Sequence, residues 1–345
     1  MPMTWKVAVA GCTGYAGGEV LRLLASHPQV EIGAVTAHSN TGVELGQLQP
    51  HLTSLADRMV DDTTVEALSG HDVVILALPH GESAKFAQQL DPQVLVIDCG
   101  ADFRLSDPND WQKFYGSDHA GTWPYGLPEL PGQRQVLAET TRIAGPGCYP
   151  TAVTLALMPA LLAGFIDAHN TVVVAASGTS GAGKSLQTHL LASEIMGSAT
   201  AYAVGGSHRH IPEILQNLRS LGANQPTLSF TPLLVPMARG ILATCTVPVL
   251  RTTSVDEVYE VYQDHYADEL FVHLLPPGKW PATASVLGSN MVHVQVSIDR
   301  QTGWLIAVSA IDNLTKGTAG GVVQSMNIAL GIDETTGLSK DGVAP

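Results

Sequence analysis

The sequence predicts an α/β fold in two domains. The first is a doubly wound parallel sheet of the Rossmann type over residues 1–147, completed by a C-terminal helix within 316–345. The second, over 148–315, is an α+β domain with a mixed sheet. Three observations predict this. Strand-like and helix-like runs alternate up to about residue 145, the pattern of a parallel sheet. The first strand runs into Gly11, Gly14 and Gly17, spaced G-x-x-G-x-x-G, and then into a helical run. From Asn170 the helices thin out and strands follow one another, as in a mixed or antiparallel sheet.

The elements follow in order. Lys6–Ala10 is a short apolar strand, the glycine turn follows, and a helix is expected over Glu19–Ser26. Glycines at such a turn let the backbone approach a pyrophosphate resting on the helix N-terminus. That makes Gly11, Thr13, Gly14, Tyr15, Ala16 and Gly17 candidate cofactor residues. The second strand, Val30–Ala37, ends in Thr36-Ala37-His38-Ser39-Asn40-Thr41. An NAD-binding strand end carries an acid for the ribose 2′-OH; here hydroxyls and a histidine stand in its place. Thr36 and Ser39 therefore point to NADP. Asp72–Leu78 and Val94–Ile97 are buried parallel-type strands. The loops after them, Pro79-His80-Gly81-Glu82-Ser83 and Asp98 to Leu105, are candidate walls of a ligand crevice. Residues 106–135 read as an ordered irregular segment, because Trp123 and Tyr125 must bury their rings. Ile143-Ala144 is the last short strand of the first domain. In the second, strands are expected at Thr171–Ser177, Thr227–Val235, Ile241–Leu250, Met291–Ile298 and Trp304–Ile311. Helices are expected at Thr151–Leu162, Leu186–Ile195, Pro212–Leu221 and Val255–Tyr266, with Ala319–Leu330 last. Pro159 should kink or shorten the helix that contains it.

Bulk properties narrow the function. The chain of 345 residues is 45% apolar and only 14% charged, a share that leaves room for a large core and for oligomer contacts. A net charge of −14 argues against a nucleic-acid surface, which needs a basic patch. Cys12, Cys99, Cys148 and Cys245 lie far apart, as free thiols in a reducing compartment would. The apolar run Val7–Ala10 is too short for a signal peptide, and no 18-residue apolar segment occurs. The expectation is a cytoplasmic enzyme with no membrane and no nucleic-acid partner.

Chemistry concentrates in three stretches. In Gly145-Pro146-Gly147-Cys148-Tyr149-Pro150-Thr151 a single thiol sits at the start of an apolar helix. Unpaired N–H groups and the helix dipole favour a thiolate there. Gly178-Thr179-Ser180-Gly181-Ala182-Gly183-Lys184-Ser185 fits the P-loop spacing G-x-x-x-x-G-K-S. No strand ending in a Walker-B acid follows, so the triphosphatase reading is set aside, and a weaker anion cradle with Lys184 is kept. Ser207-His208-Arg209-His210-Ile211-Pro212-Glu213 puts two histidines on the same side of an extended segment, just before a helix. Further metal ligands are not evident, so acid–base work is the stronger reading and no metal is expected. His210, nearer the helix and Pro212, is favoured over His208. Arg209 or Arg239 offers a fork for a carboxylate or phosphate.

Taken together, these stretches resemble the N-acetyl-gamma-glutamyl-phosphate reductase family of arginine biosynthesis, over almost the whole chain. The resemblance is carried by Gly11–Gly17, Leu78-Pro79-His80-Gly81, Asp98–Leu105, Tyr125-Gly126-Leu127-Pro128-Glu129, Pro146–Thr151, Ser177–Gly183, His208–Glu213 and Asn313–Gly320. It implies NADPH-dependent reduction of the acyl phosphate N-acetyl-L-glutamate 5-phosphate to its semialdehyde through a thioester on Cys148. His210 or His208 would serve as acid–base. It also implies that Leu78, Pro79, His80, Ser177, Gly178, Ser180, Gly181, Asn313 and Gly317 join the cofactor site, that Arg104 and Tyr149 join Arg209 and Arg239 at the substrate, and that the enzyme is a homodimer or homotetramer. Cys12 departs from the family pattern and would add a second thiol near the cofactor. The competing readings are aspartate-semialdehyde dehydrogenase or an amino-adipate-pathway relative, with the same chemistry, and a non-catalytic NADP-binding sensor.

Overall fold

The structure is a computed structural model and describes residues 3–343. The chain divides into two compact units: the chain up to Pro146 with Thr318–Leu338, and Gly147–Gly317 with the stretch from Ser339. The expected C-terminal segment of the first domain thus stops at Leu338. Beyond it the chain belongs to the second unit, where the Asn290 N–H donates to Ser339 O at 2.9 Å and the Val343 N–H to Leu287 O at 2.8 Å.

In the first unit, strands β1 (Trp5–Ala10), β2 (Val30–Thr36), β3 (Val73–Leu76), β4 (Leu95–Asp98) and β5 (Arg142–Ala144) form one sheet in the order β2-β1-β3-β4-β5. All its pairings are parallel. β3 and β4 are buried at every residue, because both faces of a parallel sheet are covered. Alternate residues feed two cores. Val7, Val9, Val73, Ile75 and Ile97 pack with Leu21 and Leu24 of the helix Tyr15–Leu24 and with Val322 and Met326 of the helix Gly320–Ala329. Ala8, Ala10, Val74, Leu76 and Val96 pack on the other side with Leu68, Leu90 and Phe103. Trp123 stacks on Phe103 with ring centroids 3.5 Å apart, which is where the aromatic segment buries its area.

The strand order reverses between β1 and β3, so a ligand crevice opens beyond their carboxyl ends, at the Gly11 turn and the loop from Ala77. These two loops touch. Gly11 has φ +81°, and a β-carbon on it would lie 2.1 Å from Ala77 O. The first helix begins at Tyr15 rather than Glu19, with Gly17 and Gly18 inside it. A β-carbon on Gly17 would lie 2.2 Å from Gly11 O; close packing of turn and helix outweighs the weak helix propensity of glycine.

In the second unit, β6 (Thr171–Ser177), β7 (Thr200–Ala201), β8 (Leu228–Leu234), β9 (Ile241–Pro248), β10 (Val272–Leu274), β11 (Val292–Asp299) and β12 (Trp304–Ile311) form a mixed sheet in the order β10-β11-β12-β9-β6-β8-β7. β6 runs parallel to β8 and antiparallel to β9. One face of β9, Ile241, Ala243, Cys245 and Val247, is fully buried. The helix Cys148–Leu162 packs against β9 and β12 and is buried from Tyr149 to Leu161. Pro159 does not end this helix. It removes the N–H that would have bonded Leu155 O, and the Tyr266 hydroxyl donates to that carbonyl instead. The Tyr262 hydroxyl donates to the neighbouring Ala156 O at 2.6 Å. The helix expected over Leu186–Ile195 is only a 3₁₀ turn, Thr188–Leu190, and a single turn, Ala192–Ile195. Among the described residues no helix is long and apolar enough to cross a membrane.

Candidate active site

Cys148 is the first residue of its helix, and Gly147 is the cap, extended at φ −72° and ψ 148° with no side-chain cap bond. The site is assembled around this glycine. Its N–H donates to Glu213 Oε1 at 2.7 Å. A β-carbon here would lie 2.9 Å from both Glu213 Oε2 and His210 Nε2. The His210 imidazole and the buried Glu213 carboxylate therefore converge on the residue preceding the thiol. Both come from the first turn of the helix His210–Ser220, which places residues three apart on one face. Glu213 closes the His208–Glu213 motif, and the sequence alone assigns it no role. Its signal was the spacing His-x-x-Glu at a helix start.

His208 is placed differently. Its ring lies among Tyr149, Tyr202, Phe230 and His210, with centroids 5.0–5.7 Å away. Its Nδ1 accepts the His210 N–H at 3.1 Å. Burial, and then the Arg209 charge, lower its pKa to about 4. A neutral imidazole with Nδ1 already engaged acts as a brace for the start of the His210 helix. Tyr149 bonds Tyr202 hydroxyl to hydroxyl at 2.7 Å, and burial raises its pKa. The other three cysteines cannot supply a ready thiolate. Burial pushes Cys12 and Cys99 up to about 12 and raises Cys245 as well. Cys12 also packs in the first core, so it does not place a second thiol against a bound cofactor.

The glycine loop after β6 closes the P-loop reading. The N–H groups of Gly178, Thr179 and Ser180 donate to Gly240 O, Met237 O and Ala238 O, which leaves them nothing for a phosphate. No α-helix follows directly, Gly183 turns away at φ +85°, and Lys184 is exposed. The expected cradle at a helix N-terminus is therefore not formed. The loop is tied instead to Asn313, which accepts the Gly240 N–H at 2.7 Å and donates to Ser180 Oγ at 3.0 Å. Ser177, Gly178, Ser180, Gly181 and Asn313 thus lie together in one cluster of the second unit. Arg239 joins it. Its guanidinium donates to buried Asp312 at 2.9 Å and to Thr315 Oγ1 at 2.9 Å. Thr315–Ala319 is a π-helical turn, a distortion frequent at functional sites. A β-carbon on Gly317 within it would lie 2.7 Å from Cys148 Cβ. Buried Lys316 lies over the Phe271 ring. Arg209 is exposed at the start of the histidine helix.

In the first unit, Gly14 caps the helix Tyr15–Leu24 in the extended conformation, and the space a β-carbon would take there is open, with only Gly11 O at 3.6 Å. Such a helix start, bare of side chain, fits a dinucleotide pyrophosphate. Exposed Pro79 and His80 lie in the neighbouring loop. That loop and the one after β4 are laced together by Asp102, which accepts the Gly81 N–H at 2.7 Å, and by His80 Nδ1, which accepts the Ala101 N–H at 3.2 Å. Two placements correct the sequence reading. Thr36 is fully buried and bonds Thr63 at 2.9 Å, so its hydroxyl does not face a ribose; Ser39 is exposed. The strand end also has an acid after all, since Asp62 lies 3.5 Å from His38 Nδ1. It comes from a later segment that pairs beside β2 through Thr36 and Asp61. Arg104 is buried, with its guanidinium donating to Gly145 O at 2.6 Å and Cys99 O at 2.8 Å. It braces these loops rather than presenting a fork to a substrate. Among the described residues no group of three or more metal-ligating side chains occurs.

Comparison with known proteins places both units in one family. Residues 6–139 match the semialdehyde dehydrogenase NAD binding domain, and residues 148–313 match the semialdehyde dehydrogenase dimerisation domain. The N-acetyl-gamma-glutamyl-phosphate reductase of Thermobifida fusca (strain YX) is 62% identical over 343 residues, covering 99% of this chain and 100% of its own. That of Streptomyces coelicolor is 63% identical with the same coverage. Among solved structures, aspartate semialdehyde dehydrogenase II of Vibrio cholerae, complexed with ASA, aligns at TM-score 0.70 and 18% identity, covering 95% of this chain and 98% of that one. The Candida albicans aspartate semialdehyde dehydrogenase with NADP aligns at TM-score 0.63 and 17% identity, over 94% and 98%. These two share the fold; the sequence relatives, at about 60% identity over their full length, decide the family. This chain is a member of the N-acetyl-gamma-glutamyl-phosphate reductase family, built on the semialdehyde dehydrogenase fold.

Proposed function

We propose that the protein reduces N-acetyl-γ-glutamyl phosphate to the semialdehyde with NADPH, through a thioester on Cys148. The observation that carries this reading is the convergence of His210 Nε2 and Glu213 on Gly147, directly before a thiol at a helix start. His210 takes the Cys148 proton, and Glu213 stabilises the imidazolium that results. The thiolate attacks the acyl carbon, and as the S–C bond forms the C–O bond to phosphate breaks and phosphate leaves. The reduced nicotinamide, when bound, supplies the hydride that converts the thioester to the thiohemiacetal. N–H groups at the start of the Cys148 helix hold the developing oxyanion, each donor worth about 3 kcal/mol in other enzymes. Collapse then breaks the C–S bond, releases the aldehyde and returns the thiolate, with His210 handling the proton. His208, neutral and bonded to the His210 backbone, acts as a positioning residue. Arg209 and Arg239 are the remaining candidates for the substrate anion.

The preference for NADPH rests on exposed Ser39 and on the lack of an acid in Thr36–Thr41 at the end of β2; Asp62, engaged with His38, opposes it. Two copies of the chain associate through the second unit, whose sequence matches a dimerisation domain. The test is phosphate-requiring oxidation of N-acetylglutamate semialdehyde, run beside aspartate semialdehyde and with NADP beside NAD. Turnover of the first aldehyde with NADP is expected. Preference for aspartate semialdehyde, or no need for phosphate, would overturn the reading.

A further inference from the structure

β4 ends in an acid where its buried pattern calls for an apolar residue. Asp98 lies on the same face of the strand as Val96, which belongs to the core with Leu76, Ala144 and Phe103, and it is fully buried. Its Oδ1 accepts two hydrogen bonds, from the Ser83 hydroxyl at 2.7 Å and from the Gly100 N–H at 2.8 Å. Its Oδ2 is buried and has no hydrogen-bond partner among the described residues. That asymmetry fits a neutral carboxyl group, because a charged oxygen left bare in the interior costs more than a neutral one.

Asp98 holds the root of a crevice wall. Ser83, itself fully buried, begins the short helix Ser83–Ala87. Asp102 accepts the Gly81 N–H at 2.7 Å and the Ala84 N–H at 3.3 Å, and His80 Nδ1 accepts the Ala101 N–H. The stretch from Pro79 to Ala84 is thus pinned by residues 98–102, and two carboxyl groups do most of the holding. The other titratable groups of that loop are Cys99 and Arg104, whose guanidinium is engaged by Gly145 O and Cys99 O. On the facing loop stand His80 and Glu82, the latter paired with Lys85 at 2.8 Å. β3, β5 and the helix Gly320–Ala329 bring only Leu76, Ala144 and Val322 to this end of β4. Burial, and then the Asp102 charge, push the Asp98 carboxyl up to about 6. A dinucleotide is anionic; laid along this wall, it favours the neutral carboxyl further.

We propose that Asp98 is a proton-linked positioning residue for the cofactor: its neutral side chain holds Ser83 and the wall from Pro79 to Ala84 in place, and binding of the dinucleotide draws a proton from solvent onto Asp98 Oδ2. The proposal rests on the cofactor reading given above. Its test is calorimetric titration of the full chain with NADPH across a pH series, in two buffers of different ionisation heat, for the wild type, Asp98→Asn and Asp98→Ala. The cofactor's own 2′-phosphate titrates in the same range, and the Asn variant carries that contribution unchanged, so the difference between the two proteins isolates Asp98. Relative to Asp98→Asn, the wild-type Kd should rise roughly tenfold between about pH 5.5 and about pH 8, with more proton uptake per cofactor bound. Asp98→Asn, which keeps an acceptor for Ser83 without the charge, should match the wild type at the acid end; Asp98→Ala should bind at least tenfold more weakly there. If Asp98→Ala fails to fold, Ser83→Ala takes its place and should weaken binding several-fold at every pH. A wild type that binds no dinucleotide overturns the cofactor reading and this proposal together. Binding with the same pH dependence and proton uptake in wild type and Asp98→Asn leaves the cofactor reading standing and overturns the proton on Asp98. Full affinity in Asp98→Ala, or in Ser83→Ala where that replaces it, overturns the positioning role.

Discussion

Two helices of this protein begin alike and serve differently. The helix Tyr15–Leu24 and the helix Cys148–Leu162 each follow a strand and a glycine turn, and each is capped by an extended glycine with no side-chain cap bond. At Gly14 the space beside the cap is open; at Gly147 it is filled by His210 and Glu213. Both starts present N–H groups and a positive dipole end. One leaves them open, while the other brings a thiol, an imidazole and a carboxylate to them. Local sequence sets the helix start, and distant residues decide its use.

The largest effect should come from the nucleophile. Cys148→Ser should abolish turnover while leaving cofactor binding at the open helix start intact, as read by fluorescence titration with NADPH. Retention of more than about a tenth of the wild-type rate, a loss under ~1.4 kcal/mol, would contradict the covalent route. Gly147→Ala comes next. Its methyl would meet His210 and Glu213 at 2.9 Å. A displacement of about 1 Å there should cost ~100-fold in kcat, and overpacking about 1–3 kcal/mol of stability by chemical denaturation.

Exchanging the two histidines separates acid–base work from positioning. His210→Asn should lower kcat strongly and remove one limb of the pH–rate profile. His208→Asn should lower activity with both limbs kept. His208 also bears on stability. Its folded pKa, about 4, lies below the ordinary 6.5, so protonation favours the unfolded chain. Its contribution is complete above pH 6.5 and is lost as pH falls towards 4; melting curves of His208→Asn should fall less steeply across that window. If His208→Asn instead flattens the pH–rate profile, the two roles are reversed.

Gly14→Ala is the counterpart of Gly147→Ala and should behave oppositely. The methyl has room, so stability should change by less than about 1 kcal/mol, while KM for NADPH should rise roughly tenfold as the methyl meets the phosphates. An unchanged KM would mean that the pyrophosphate lies elsewhere. The smallest effect is expected from Asp62→Asn, which removes the carboxylate beside His38 and should improve the NADPH-to-NADH ratio of kcat/KM by a few-fold. A shift towards NADH would show that Asp62 does not face the ribose.

Much of this was legible in the sequence because it is local. The apolar runs of β3 and β4, the glycine spacing after β1 and the thiol at a helix start follow from neighbouring residues. What failed depended on distant partners. Pro159 is tolerated because Tyr266 supplies the missing donor from another helix. Thr36 is withdrawn from the ribose by Thr63, and an acid reaches the strand end from Asp62. Arg104 resembles a substrate fork in the motif, but its guanidinium is engaged by backbone carbonyls of the adjoining loops. The helix Pro108–Tyr115 was legible and missed: Asp107 and Pro108 start it, and Gly116 ends it at φ 75°. Glu213 could be placed at a helix start from spacing alone, but only the fold shows that it faces Gly147.

The central claim is that Cys148 carries the acyl group. Intact-protein and peptide mass spectrometry after mixing the enzyme with N-acetyl-γ-glutamyl phosphate, without cofactor, tests it most directly. The account predicts an N-acetylglutamyl adduct on Cys148, phosphate released in equal amount, and no adduct in Cys148→Ser. An adduct on another residue, or turnover with no adduct and no phosphate burst, would contradict it.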